Sequence, residues 1–373
     1  MIEAILFLLG LNYFLTLFLF YLGIKREKNR ITKNGNSFPN VTVLIPARNE
    51  SEKIVSTLEG LVVQTYPKDN LEVIVIDDHS ADNTHEVVSQ FIERKKLSRF
   101  RVVQHRNDGT KPTFKKAAIT FAMSKASGEI ILTTDADCRV QPGWVKSMVA
   151  KFESKTGLVA GLITFDKDFE RNIFHRLQTL EFAGLVFAGV GAVGINHPLI
   201  CNGSNLAYRR KTFDEVGGFY GHDHLPSGDD DLFVQTLRSK TDWEVRYNLD
   251  PQSVNFTHPI DTYRDFFNQR SRWASKSTHY PGMFTFLFLL SIFMFHLGVF
   301  LFFPISVLGQ FSIPIIVIVL LFKIVSDYLI LHQALTILDR KDLKKYFFIG
   351  EVFHVPYVLI SGFRGFFNLF RWK

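Results

Sequence analysis

Residues 2–24 read IEAILFLLGLNYFLTLFLFYLGI, an apolar run whose only charge, Glu3, lies near its start. A helix needs roughly 20 apolar residues to cross the hydrocarbon core of a bilayer, so the run predicts a spanning helix. A cleaved signal peptide would want a basic start, a shorter apolar core and a small-residue cleavage site, and the run has none of these. Lys25, Arg26, Lys28, Arg30 and Lys33 follow at once. Residues 1–24 therefore read as an uncleaved anchor whose C-terminal end is cytoplasmic by the positive-inside rule.

A second apolar region fills residues 283–373 and predicts two or three helices. Residues 283–303 form one span, ended by Pro304, and residues 313–335 form another, interrupted by Lys323 and Asp327. These two are one helical turn apart and read as an intramembrane ion pair or a snorkelling lysine rather than a relay. The basic loop at 339–345 returns the chain to the cytoplasm. Residues 346–367, with Glu351, His354, Pro356 and Arg364, either cross or lie in the interface. The expected location is the cell membrane, multi-pass, with the middle domain cytoplasmic.

Residues 38–278 have the pattern of a globular domain. Short buried strands are predicted at 41–45, 71–76, 100–104 and 130–132, with helical spacing at 50–63, 84–91 and 115–124. That alternation predicts an α/β fold, a mostly parallel sheet with helices on both faces. Ligands of such sheets bind beyond the carboxyl ends of the strands. The polar residues there are Arg48, Asn49 and Glu50, then Asp77 and Asp78, then Asp135 and Asp137. The aromatic stretch 182–193 reads as an amphipathic helix on the membrane or as core.

Composition narrows the class. The chain has 373 residues, 47% hydrophobic and 21% charged, with 38 phenylalanines, and a mean hydropathy of +0.09. Disordered, fibrous and disulfide-scaffold classes are excluded, and a wholly soluble enzyme is disfavoured. The net charge of +7 would suit nucleic acid, an anionic membrane face or a phosphorylated substrate. The basic residues cluster beside apolar spans and no RNA-binding motif occurs, so nucleic acid is not an expected partner. Cys138 and Cys201 give no disulfide framework and read as small buried hydrophobes. Neither G-x-G-x-x-G nor G-x-x-x-x-G-K-[ST] follows the first strand, which argues against a dinucleotide dehydrogenase and a P-loop NTPase.

Asp135 and Asp137 are two apart. In extended chain such side chains share one side, with Cα atoms about 6.5–7 Å apart. Both carboxylates then reach one hard divalent cation, Mg²⁺ or Mn²⁺. Two turn or cap aspartates would look the same.

Six segments, in order, resemble family 2 glycosyltransferases of the GT-A fold. VTVLIPARNE, VIVIDDHSADNT and GEIILTTDADCRVQPGW resemble the nucleotide-sugar half, and ICNGSNLAYRRKTFDEVGGF the acceptor-side segment. SGDDDLFVQTL resembles the acidic catalytic segment, and QRSRW matches the Q-x-x-R-W of membrane-bound cellulose, hyaluronan and poly-N-acetylglucosamine synthases. The resemblance implies an inverting, metal-dependent enzyme. It would move a sugar from a nucleoside diphosphate, UDP favoured and GDP open, to a polysaccharide or lipid-linked acceptor. Pro46, Arg48, Asn49, Glu50, one of Asp77 and Asp78, Lys115 and Asp135 would hold the nucleotide sugar. Asp135 and Asp137 would hold the Mg²⁺ or Mn²⁺. The family's base lies in a Glu-Asp or Thr-Glu-Asp segment. Here alignment on Leu232-Phe233 points to Asp229, and alignment on the acidic pair points to Asp230, which is the preferred of the two. Gln269, Arg270, Arg272 and Trp273 would contact the diphosphate and the acceptor sugar, or anchor at the membrane interface. His222, Asp223 and His224 have metal-like types but read as a loop. Membrane lipid and a partner subunit complete the expected partners. A non-catalytic nucleotide-sugar-binding or synthase-partner protein of the same fold is the alternative.

Overall fold

The computed structural model describes residues 1–30, 37–106, 114–221, 225, 227–280 and 282–371. His222, Asp223, His224 and Lys33 lie outside the described residues. The first half of the chain gives α1 (Ile2–Asn29), β1 (Val41–Ala47), α2 (Ile54–Val62), β2 (Leu71–Asp78), α3 (Thr84–Lys95), β3 (Phe100–His105), α4 (Lys115–Met123), β4 (Ile130–Thr133), α5 (Trp144–Val149), β5 (Thr156–Gly161), β6 (Ile163–Phe165) and α6 (Ile173–Gly194). There follow β7 (Leu206–Arg209), α7 (Arg210–Val216), α8 (Asp231–Lys240), β8 (Glu244–Asn248), β9 (Asn255–Thr257), α9 (Tyr263–Ser275), α10 (Met283–Val307), α11 (Ile313–Ile337) and α12 (Phe347–Phe366).

The chain divides into two compact units. One comprises Glu27–Asp166 and Pro198–His258, the other Met1–Arg26, Lys167–His197 and Pro259–Lys373. Helices α6 and α9 fall inside the 38–278 stretch expected as one domain, yet they group with the terminal helices.

In the first unit seven strands form one sheet, ordered β3-β2-β1-β4-β7-β5-β8. β3, β2, β1 and β4 pair in parallel, with Val43 beside both Val73 and Leu132. β7 runs antiparallel to β4 and β5, and β8 parallel to β5. Successive residues of β1 and β2 are buried. Because neighbouring side chains point to opposite faces, both faces of the sheet are covered. The core holds Val43, Ile45, Leu58, Val75, Val88, Leu132 and Trp144. Trp144 Nε1 donates to Asn205 Oδ1 at 2.8 Å, and Asn205 Nδ2 donates to the carbonyls of Leu162 and Ser253, each at 2.6 Å. A buried amide so fully satisfied is a structural pin, although it lies in the segment expected to face the acceptor.

The second unit is helical. α6 is lined with buried Phe182, Val186, Phe187 and Val190, so it is a core helix of this unit. A Cβ on Gly191 would overlap the Phe20 backbone, so only glycine lets α1 and α6 approach this closely. Among the described residues, five helical segments are long and apolar enough to cross a membrane: α1, α6, Thr285–Val307, α11 and Lys341–Phe366. α1, α10, α11 and α12 leave large apolar side chains exposed, among them Leu8, Leu19, Leu287, Phe300, Leu321, Val352 and Phe363. Inward, Lys323 Nζ donates to Asp327 Oδ2 at 2.8 Å and also to Glu351, while Tyr13 donates to Asp327 Oδ1 at 2.6 Å. The expected ion pair is therefore present, inside a larger buried network.

Candidate functional site

Strand ends bring the polar residues together. β4 stops at Thr133, and the next turn carries Asp135 and Asp137. Their carboxylate oxygens and Cys138 Sγ all lie within 4.8 Å of one another. α4 begins at Lys115, whose Nζ lies 2.6 Å from Asp135 Oδ1 and 3.0 Å from Asp229 Oδ2. The next residue, Lys116, is buried and donates to the Ser227 carbonyl at 2.8 Å. Two successive lysines thus fasten the start of α4 to the acidic segment. Gly228 sits at φ +95, left-handed backbone that a side chain would strain, and this turns Asp229 towards Lys115.

Asp230 is placed differently. It caps α8, its Oδ1 accepting from Asp231 N at 2.8 Å, and its Oδ2 accepts from Gly203 N at 3.3 Å. Of the two candidate bases, Asp229 faces Lys115 and Asp135, and Asp230 is bonded to backbone.

The electrostatics fit a cation. Burial first, then the Asp135 charge, raise the Asp137 carboxyl above its usual range, against the pull of Lys53 and His258. Two half-buried carboxylates this close are stabilised by a divalent ion, and an oxygen donor set is the kind Mg²⁺ and Mn²⁺ prefer. Burial pushes the Cys138 thiol well up, reinforced by both aspartates, so it offers no thiolate. Burial alone would lower the Lys115 ammonium, but Asp135 and Asp229 outweigh it and hold it well above the usual lysine range.

The loops after β1 and β2 are stitched together. Asn49 N donates to Ser80 Oγ at 3.0 Å, and Ala81 N to Asn49 Oδ1 at 2.7 Å. Glu50 N donates to Thr84 Oγ1 at 3.0 Å. Asp82 accepts from Ser51 N at 3.2 Å and Thr84 N at 3.0 Å. Pro46 lies within β1 and Arg48 is exposed just beyond it. Asp77 is buried against Arg106 at 3.0 Å and accepts from Ser80 N at 3.2 Å. Asp78 lies between His79 Nδ1 at 2.9 Å and His105 Nδ1 at 2.8 Å. Neither acid is the cap of α3, whose N-cap position is Asn83; the carboxylate that accepts from its first N–H, Thr84 N, is Asp82.

Gln269, Arg270, Arg272 and Trp273 lie on α9 in the helical unit. Arg270 is 2% exposed and donates to Glu181 Oε2 at 3.1 Å from Nε and 2.6 Å from a terminal nitrogen. Its guanidinium also lies 4.3 Å from the centre of the Trp273 ring, and Tyr357 donates to the other Glu181 oxygen at 2.7 Å. Arg270 is thus committed within its own unit. Sequence reasoning missed His258, Asp82 and the Lys116–Ser227 contact. Only the adjacency of Lys115 and Lys116 hinted at the last.

Two family models match the chain, "Glycosyl transferase family 2" over residues 42–217 and "Glycosyl transferase family group 2" over residues 130–337. A poly-beta-1,6-N-acetyl-D-glucosamine synthase of Staphylococcus epidermidis is 26% identical over 63% of this chain and 53% of its own length. A beta-monoglucosyldiacylglycerol synthase of Trichormus variabilis is 24% identical over 72% of this chain and 55% of its own length. The chain thus spans about half the length of these relatives. Among solved structures, the mannosyltransferase PcManGT from Pyrobaculum calidifontis, in complex with GDP-Man and Mn²⁺, aligns over 99% of both chains with a TM-score of 0.64 and 19% identity. Its likeness is one of fold, the GT-A arrangement of the mostly parallel sheet. The second family model alone covers more than half of the sequence, and the chain belongs to glycosyltransferase family 2.

Proposed function

We propose that this protein is a membrane-anchored, metal-dependent, inverting glycosyltransferase. It moves a sugar from a nucleoside diphosphate, UDP or GDP, to a hydroxyl of a glycan or glycolipid acceptor. The observation that carries this is the meeting of Asp135, Asp137, Lys115 and Asp229 beyond the carboxyl end of β4. Its relatives include a polysaccharide synthase and a glycolipid synthase, which supports an acceptor of either class.

In this reading Asp135 and Asp137 hold Mg²⁺ or Mn²⁺, which when bound offsets charge developing on the leaving diphosphate. The loop from Pro46 to Glu50, with Asp77 or Asp78, orients the base and ribose. Asp229 Oδ2 takes the proton of the acceptor hydroxyl. As the new bond to the anomeric carbon forms, the bond to the diphosphate oxygen breaks on the opposite face, which inverts the centre. Lys115 holds the departing diphosphate. Arg272 and Trp273 of Q-x-x-R-W serve diphosphate and acceptor sugar, and Gln269 and Arg270 fix them in place. The apolar helices at both ends hold the chain in the cell membrane, with the transferase unit cytoplasmic.

Detergent-purified full-length chain is screened for release of UDP or GDP from a panel of sugar donors with Mg²⁺ or Mn²⁺. The expected result is metal-dependent release from one donor, lost with EDTA and in Asp137→Asn. A chain that binds a nucleotide sugar by calorimetry yet turns over no donor with any acceptor would instead be a binding protein of this fold.

A further inference from the structure

Lys115 is shared by two groups with different assigned roles. Its Nζ is 2.6 Å from Asp135 Oδ1, half of the metal pair, and 3.0 Å from Asp229 Oδ2, the base. One ammonium is therefore shared by both ends of the machinery. The contact is partly shielded from water, with the Lys115 side chain 27% exposed and that of Asp229 12% exposed. Asp137 adds a further carboxylate beside Asp135, so the cluster keeps excess negative charge with Lys115 in place. Lys116 is no substitute, because its ammonium is buried on the Ser227 carbonyl.

A dication entering beside Asp135 meets that ammonium on the same carboxylate. Their repulsion is twice that between two unit charges at the same distance. A diphosphate changes the balance. Its oxygens attract the metal and the ammonium together, so Lys115 gains a partner as it gives up the carboxylates. Asp229 is then left facing the acceptor side without its counter-ion.

We propose that Lys115 is an internal counter-ion that occupies the metal pair and the base until the donor's diphosphate draws it away. Metal and nucleotide then bind cooperatively, and the base is released only with the donor in place. The inference rests on the assignment of Asp135 and Asp137 to the metal and Asp229 to the base. By linkage the coupling is reciprocal: nucleotide tightens metal by the factor that metal tightens nucleotide.

The test is Mn²⁺ binding by the full-length chain, read from the electron paramagnetic resonance signal of free Mn²⁺, alone and with UDP or GDP. Without nucleotide, Lys115→Met and Lys115→Gln are expected to bind Mn²⁺ about tenfold more tightly than the parent. Lys115→Arg, which keeps the charge, is expected to match the parent. The gain in Mn²⁺ affinity on adding nucleotide is expected to shrink in the two neutral variants. Neutral variants that bind Mn²⁺ no more tightly than the parent, while Asp137→Asn removes binding, would overturn the counter-ion role and leave the metal assignment standing. Binding that Asp137→Asn leaves intact would overturn both.

Discussion

A carboxylate serves as a general base only when its oxygen is free to face the proton it takes. Asp230 has one oxygen on the first backbone N–H of α8 and the other on Gly203 N. Asp229 bonds a side chain that can move, Lys115. The two neighbours therefore predict opposite mutants. Asp229→Asn should lower transfer by about 10²–10⁴-fold, the usual worth of a general base, with the thermal midpoint little changed. Asp230→Asn should keep transfer within a few-fold, because asparagine caps a helix about as well as aspartate. Steady-state transfer rates and melting curves of the two variants check this, and the reverse pattern would move the base to Asp230. The closeness of Asp135 and Asp137 was legible in the sequence, because two residues apart at a strand end their carboxylates share one side; their assignment to a metal rests on the resemblance. The choice between Asp229 and Asp230 was not legible, because it depends on Lys115 and Gly203, both distant along the chain.

At the scale of elements, the first four strands and three of the helices were legible, since an apolar run ended by polar residues specifies a buried strand wherever it lies. The reversal of β7 was not, because periodicity carries no strand direction. Nor did α6 reveal its place. Its sequence is apolar on most sides, and lipid or protein could equally cover it. The stitching of the loops after β1 and β2 also escaped, because Asp82 reads as one more turn aspartate. Its role predicts a pH dependence. Slight burial pushes the Asp82 carboxyl up, but hydrogen bonds from Thr84 and Ser51 outweigh this and bring it to about 2. A carboxyl depressed on folding stabilises the fold above its unfolded value of about 3.9 and loses that contribution as pH falls to about 2. Asp82 is exposed, so solvent keeps the effect small. The melting temperature of Asp82→Ala should lie below the parent's at pH 6, and the gap should narrow as pH falls from about 4 towards 2. A gap that stays constant across that window would assign the loss to packing instead of charge.

At the scale of the whole molecule, charge along the chain sets the expected orientation. α11 has 25 residues, about 37 Å at 1.5 Å per residue, enough to pass a hydrocarbon core of about 30 Å. The connection before it, residues 308–312, has no charge, whereas the connection after it contains Arg340, Lys341, Lys344 and Lys345. Lys25, Arg26, Lys28 and Arg30 mark the end of α1 in the same way. Short basic loops stay in the cytoplasm, so Gly309 is expected outside and Lys341 inside. The ionised residues within α11 do not oppose a crossing. Lys323 and Asp327 are paired with each other and with Glu351 and Tyr13 inside the helical unit, the arrangement by which charged side chains are tolerated in a bilayer. Gly309 and Lys341 are both exposed, so single cysteines at these two positions report their side. Cys138 is buried and Cys201 is removed as Cys201→Ser. In intact cells a membrane-impermeant maleimide should label Gly309→Cys and spare Lys341→Cys, and permeabilisation should make both reactive. Labelling of Lys341→Cys from outside would invert the topology and place the basic loop, against its charge, on the outer face. Equal protection of both sites before permeabilisation would mean that α10 and α11 do not cross at all.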